Sequence, residues 1–142
     1  NEQQTIRAIF AGGHTVAVVG LSPKAWRESF GVSRAMQAAG WRIIPVNPVV
    51  AERGETILGE KAYATLADAA LHESIDLVNV FRNSEDVPPV MEEAIATGAP
   101  AVWLQMGIRH DAAAARARAA GLNVVQDRCL KVEGMMRDRP ST

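Results

Sequence analysis

Residues 15–36 read TVAVVGLSPKAWRESFGVSRAM. An apolar run ends at Gly20, a polar and cationic stretch follows, LSPKAWRESF (21–30), and only then does a helical pattern begin, VSRAMQAAG (32–40), which stops at Gly40. A strand, a glycine turn and a helix in succession is where α/β proteins hold phosphate groups. A dinucleotide fingerprint, however, requires G-x-G-x-x-G directly after the strand. Here the next glycine is Gly31. The residues between include Ser22, Lys24, Arg27 and Ser29, two cations and two hydroxyls. Gly20 allows a tight turn near a ligand. Lys24 and Arg27 offer charge-assisted hydrogen bonds to phosphate. A helix opening after Gly31 would add free N–H groups and the positive end of its dipole. The same composition also fits a solvated surface loop with scattered charges.

Outward from this stretch, four more apolar runs recur: RIIPVN (42–47), DLVNVF (76–81), AVWLQM (101–106) and NVVQD (123–127). Most are near-continuous Val, Ile and Leu, the pattern of strands buried on both faces. Helical patterns lie between them. SEDVPPVMEEAIATG (84–98) has Ser84 as a cap candidate and Gly98 as its stop, Asp111 is placed to cap the helix that Gly121 closes, and a weaker helical turn spans 65–74. An N-terminal helix precedes the first strand. VVAERGETILGEKAY (49–63) reads as a long surface loop. Unbroken strand–helix alternation predicts one doubly wound α/β domain, a parallel sheet of about five strands with helices on both faces. The expected limits are residues 1–142, with a helix at 2–11 and a frayed tail at 137–142.

The chain has 142 residues, enough for one domain, and its 48% apolar and 22% charged content is globular. A formal net charge of −1 gives no footprint for a nucleic-acid partner. No apolar stretch is long enough for a membrane span, and the opening NEQQTIRAIF lacks the apolar core of a signal peptide. With a single cysteine, Cys129, a reducing and hence cytoplasmic setting is the expectation.

Ligands of doubly wound sheets bind beyond the strands' carboxyl ends, where strand order reverses. Those ends are Gly20, Asn47-Pro48, Phe81-Arg82 and Met106-Gly107. NAD-preferring domains place Asp or Glu after the second strand to hold the ribose hydroxyls. Asn47 is neutral and would not repel a phosphorylated ribose, which turns the expectation toward NADP or coenzyme A. Asn47-Pro48 equally fits an ordinary strand end. Arg82 could meet a phosphate or cap an edge, Phe81 could stack on a base or pack, and Gly107 permits close backbone approach.

Six motifs in order carry a family resemblance: VVGLSPK (18–24), RIIPVNP (42–48), ILGEKAYATLAD (57–68), LVNVFR (77–82), VWLQMGI (102–108) and VVQDRCLKVE (124–133). The chain resembles, over about residues 5–134, the small bacterial and archaeal CoA-binding proteins. These are stand-alone versions of the CoA-binding domain of succinyl-CoA synthetase and ADP-forming acyl-CoA synthetases. The resemblance implies a Rossmann-like fold that binds coenzyme A or an acyl-CoA without catalysis. It implies that Gly20, Leu21, Ser22 and Lys24 line the adenosine phosphate end, and that Arg27 and Ser29 reach the diphosphate or 3′-phosphate. Asn47 and Pro48 would flank the adenosine, while Phe81, Arg82, Met106 and Gly107 would border the diphosphate and pantetheine path. A homodimer or a synthetase partner would fit this reading. One departure stands out: Ala25, Trp26, Arg27, Glu28 and Ser29 occupy a loop where relatives often carry an Asp-Arg-Pro type.

Enzymatic signatures are missing. His14, His72 and His110 are scattered without metal-ligand spacing, and no G-x-S-x-G elbow occurs. No catalytic or metal-binding residue is therefore nominated. A small NADP-dependent oxidoreductase and a regulatory subunit of an acyl-CoA synthetase are the competing readings. Cys129, between Arg128 and Lys131, would form a mixed disulfide with CoA only if it lay beside the bound thiol. The commoner role is a small buried apolar residue. Asp127, Arg128, Lys131 and Glu133 read as a structural ion-pair network.

Overall fold

Strands rich in Val, Ile and Leu bury both faces, so their backbone amides must be satisfied by like neighbours within a sheet. A computed structural model describes residues 1–137. Its elements are α1 (Glu2–Ala11), β1 (Thr15–Val19), α2 (Glu28–Ala38), β2 (Arg42–Val46), α3 (Pro48–Glu52), β3 (Thr56–Ile57), β4 (Glu60–Lys61), α4 (Leu66–His72), β5 (Leu77–Val80), α5 (Val87–Thr97), β6 (Ala101–Leu104), α6 (Asp111–Ala119), β7 (Asn123–Val125) and α7 (Leu130–Arg137). The sheet runs β2-β1-β5-β6-β7, all parallel. Tyr63 adds an isolated parallel bridge to Val46, donating to the Pro45 carbonyl and accepting from the Asn47 amide. Counted as a rudimentary strand, it gives the 3-2-1-4-5-6 order of a Rossmann sheet. Pro45 is tolerated inside β2 because its ring nitrogen, which has no hydrogen to donate, sits on this thinly covered side.

Alternate strand residues divide between two cores. Ala17, Val19, Ile44, Val78, Val80, Val102 and Leu104 pack with Leu66 of α4, Met91 and Ala94 of α5, and Ala114 and Ala117 of α6. Val16, Val18, Ile43, Leu77, Ala101, Trp103 and Val125 pack on the other face with Ile6 and Ile9 of α1, Val32 and Met36 of α2, and Leu130 of α7. The predicted doubly wound α/β class is the observed one. No helix of the described residues is long and apolar enough to cross a membrane.

Four local expectations are corrected. The segment 49–63 is not a plain loop: it forms α3 and the β3–β4 hairpin, which bury Val50 and Ile57. The hairpin turns on Leu58 and Gly59, both at positive φ (55° and 77°) as a two-residue connection demands, and the Gln37 side chain of α2 donates to the Leu58 carbonyl at 2.9 Å. α2 opens at Glu28, so Gly31 lies inside the helix and not before it. His110, not Asp111, caps α6: its Nδ1 accepts from the Ala113 amide at 3.1 Å. Ser84 begins a 3-10 turn, Ser84–Asp86, and its Oγ accepts from the Arg109 amide instead of capping a helix. Gly98, at φ 77°, does end α5. The expected fraying concerns residues 137–142; all but Arg137 lie outside the described residues.

At the opposite end of the sheet Asp76 fixes where β1 begins. Its Oδ2 accepts from the Thr15 amide at 3.0 Å, and its own amide donates to the Thr15 carbonyl at 2.9 Å. Gly13 crowds the carboxylate so closely that a Cβ there would sit 2.3 Å from it. Substituting Asp76→Ala strands a partly buried amide and is expected to cost about 1–3 kcal/mol. In thermal unfolding that corresponds to a fall of roughly 3–10 °C in Tm. An unchanged midpoint would remove Asp76 from the determinants of sheet register.

Candidate functional site

Chain direction diverges at the carboxyl ends of β1 and β5. From β1 the chain proceeds to β2 on one side, and from β5 to β6 on the other. A crevice opens at such a switch point, with a helix N-terminus on each side. Gly20 forms its floor. Its φ is +88°, and an added Cβ would lie 2.3 Å from the Phe81 carbonyl oxygen. The Gly20 amide donates to Val46 and the Phe81 amide to Val19, so the floor is a continuation of the sheet.

The connection from β1 to α2 folds on itself. Leu21 is fully buried as an anchor. The Ser22 amide donates to Ser29 Oγ at 2.9 Å, Ser22 Oγ accepts from the Lys24 amide at 3.1 Å, and the Arg27 amide donates to the Lys24 carbonyl at 3.0 Å. Both hydroxyls therefore shape the loop. The charges that remain for a ligand are Lys24 and Arg27. Arg27 is the N-cap of α2 and makes no side-chain capping bond, which leaves the first turn available to an anion.

The second wall is Phe81, Arg82, Asn83 and the 3-10 turn Ser84–Asp86; the third is Met106, Gly107 and Ile108. Gly107 is held at φ +85°, and its amide donates to Asp127 Oδ1 at 2.7 Å. Together these walls enclose an open cleft of about 930 Å³. Beneath it lies a buried amide network. Gln105 Oε1 accepts from Asn79 Nδ2 (3.4 Å) and from the Leu130 amide (3.3 Å), and Gln105 Nε2 donates to Glu28 Oε1 (3.5 Å) at the cleft wall.

Of the residues expected to contact a ligand, Gly20, Ser22, Lys24, Arg27, Ser29, Phe81, Arg82, Met106 and Gly107 come together around this cleft. Leu21, Asn47 and Pro48 do not line it. Asn47 spends its side chain internally: Oδ1 accepts from the amides of Val49 and Val50, capping α3, and Nδ2 donates to the Leu21 carbonyl at 3.0 Å. Pro48 borders a separate depression with Lys61, Tyr63 and His72. Glu28, Asn83, Ser84, Glu85, Asp86 and Ile108 also line the cleft, brought there by the α2 start and the turns after β5 and β6, which the strand ends alone do not indicate. The three carboxylates oppose the three cations, so the electrostatics are mixed and not uniformly positive.

Other candidates lie elsewhere. His14 stacks on Trp41 at 4.3 Å, His72 stacks on Tyr63 at 5.7 Å, and His110 is the α6 cap. Cys129 is half-buried against the α1–α2–α7 core and is not part of the cleft lining. Arg128 pairs with Glu2 and with the buried Glu133, which Arg137 also contacts; Lys131 and Asp127 are not part of that network. The Arg128 guanidinium is held above its ordinary pKa, chiefly by its hydrogen bond to Glu2. Among the described residues no group of three or more His, Cys, Asp or Glu is placed to hold a metal ion.

A family model described as a CoA binding domain matches residues 14–135. The uncharacterized protein YneT of Bacillus subtilis is 43% identical over 127 residues, covering 89% of this chain and 90% of its own length. A solved structure from Thermus thermophilus superposes with a TM-score of 0.86 at 38% identity, covering 96% of this chain and 98% of that one. A hypothetical protein from Pyrococcus horikoshii superposes with a TM-score of 0.84 at 31% identity, covering 96% and 91%.

Two glycine substitutions separate floor from helix. Gly20→Ala meets both a forbidden φ and the Phe81 carbonyl, and is expected to destabilise by about 2 kcal/mol or more. Gly31→Ala meets nothing within 4 Å inside α2 and should stabilise by about 0.5–1 kcal/mol. Denaturant midpoints moving in the same direction for both variants would contradict this placement.

Proposed function

The chain belongs to the CoA-binding domain family, and on that premise we propose that it is a binding module. It takes coenzyme A or an acyl-CoA into the cleft at the β1–β5 switch point without acting on it chemically. The observation that carries the reading is the convergence of Lys24, Arg27, Arg82 and the side-chain-uncapped start of α2 on a single cleft floored by Gly20. Coenzyme A carries a diphosphate and a 3′-phosphate, and these are the groups such donors suit. Gly20 brings backbone, not side chain, to the floor, which leaves room for a diphosphate to approach. Phe81, Met106 and Ile108 supply an apolar path for the pantetheine arm.

Asn47 contributes indirectly. By tying the end of β2 to the Leu21 carbonyl it holds the cationic loop in place. Glu28, Glu85 and Asp86 temper the positive field, so affinity rests on placed donors more than on bulk charge.

Thermal unfolding in the presence of CoA and of NADP tests the proposal. CoA at 100 times its Kd adds about 2.7 kcal/mol to the folded state, a rise of roughly 5–15 °C, while NADP leaves the midpoint unmoved. The double variant Lys24→Ala/Arg27→Ala is expected to bind CoA at least about ten-fold more weakly, since two charge-assisted contacts are removed. A shift with NADP in place of CoA would favour an oxidoreductase, and undiminished CoA affinity in the double variant would overturn the assignment of the loop.

A further inference from the structure

Each of the three tryptophans can be asked what it does for the fold. Trp103 is fully buried and its indole N–H donates to the Arg128 carbonyl at 2.8 Å. Trp41 is 6% exposed and stacks on His14. Trp26 is 78% exposed. Among the described residues its indole N–H has no acceptor, and its one ring contact of note is the Lys24 ammonium, 5.7 Å from the centroid.

The turn that carries this exposed ring is closed by residues of the cleft. The Arg27 amide closes a tight turn onto the Lys24 carbonyl, with Ala25 and Trp26 at its corners. The residues at both ends of that turn, Lys24 and Arg27, line the cleft. A large flat ring is thus carried at the tip of a turn whose two feet are cleft cations. Leaving an indole in water forgoes the burial that the other two tryptophans obtain. Trp26 itself is not among the residues that line the cleft, but Lys24 lines the cleft and also carries its ammonium over the aromatic face, so one side chain is shared by cleft and indole.

We infer that Trp26 is a ligand-contacting residue: its indole stacks on the heteroaromatic base of the bound nucleotide moiety and closes the rim of the cleft. The inference rests on the coenzyme reading above and adds to it a specific platform for the base. Stacking on an aromatic side chain requires a flat π system and no particular hydrogen-bond pattern. Any planar aromatic at position 26 should therefore serve, and an aliphatic residue should not.

The test measures affinity by calorimetry for wild type, Trp26→Ala and Trp26→Phe, against CoA, adenosine 3′,5′-bisphosphate and phosphopantetheine. Trp26→Ala is expected to weaken CoA and the bisphosphate by about five-fold or more, leaving phosphopantetheine unaffected. Trp26→Phe should keep its CoA affinity within about three-fold of wild type, because it retains a stacking face. CoA should also quench the wild-type tryptophan emission, and the quench should vanish in Trp26→Phe, where only the two buried indoles remain. Equal CoA affinity in Trp26→Ala and wild type overturns the inference while leaving the coenzyme reading intact. A matching loss for phosphopantetheine overturns stacking on the base. Failure of the wild type itself to bind CoA overturns the coenzyme reading, and the Trp26 platform with it.

Discussion

The close approach of Gly20 to the Phe81 carbonyl is the constraint around which the cleft is built. Two adjacent parallel strands end level with one another, and the chain must leave them in opposite directions. A side chain at position 20 would fill the space between the departing segments and push them apart. With hydrogen in that place, the backbone itself becomes the surface. Everything else at the site is arranged relative to it: Leu21 sinks into the core, Ser22 and Ser29 lock the loop, and Lys24 and Arg27 are left at the rim. Position and charge thus have separate sources. The glycine sets where a ligand can lie, and the loop sets what charge it meets.

Behind the cleft, Gln105 adds side-chain hydrogen bonds that link the sheet to two helices. Fully buried amides are tolerated when their hydrogen bonds are made internally, and Gln105 reaches β5, the first residue of α7 and the first turn of α2. The tilt of α2, and with it the direction of its N-terminus, is thereby referenced to the centre of the sheet. Asn47 performs the corresponding service from β2. Neither residue needs to touch a ligand to influence where its phosphates would lie.

Much of the architecture was legible because the sheet strands are short and apolar, and because Gly98 and Gly121 stop helices in the ordinary way. The strand ends likewise identified most of the cleft, since topology places those ends together whatever the side chains. What escaped was local hydrogen bonding. The β3–β4 hairpin has two residues per strand, too few to show a period, and its turn places Leu58 at positive φ where the sequence shows no reason for it. Gly31 looks like a boundary in the sequence, whereas the bonds of Phe30 and Gly31 to the Arg27 carbonyl show that the helix is already under way. Asn47 invites a reading as ligand chemistry and Asp111 as a cap, whereas Asn47 and His110 are the residues that cap helices. A side chain's hydrogen-bond partners three residues away decide such cases, and composition does not report them.

Pro45 and Tyr63 have an effect on behaviour in concentrated solution. An open parallel sheet ends in a row of unpaired peptide groups, an invitation to stack with strands of other molecules. On the β2 side that row is interrupted twice: by an imino acid with no hydrogen to give, and by a strand-like segment reduced to a single residue whose peptide bonds already point inward. The border therefore presents no extended template for another chain to copy. Loss of either interruption would lengthen the run of unpaired peptide groups that the β2 border offers to a strand of another molecule.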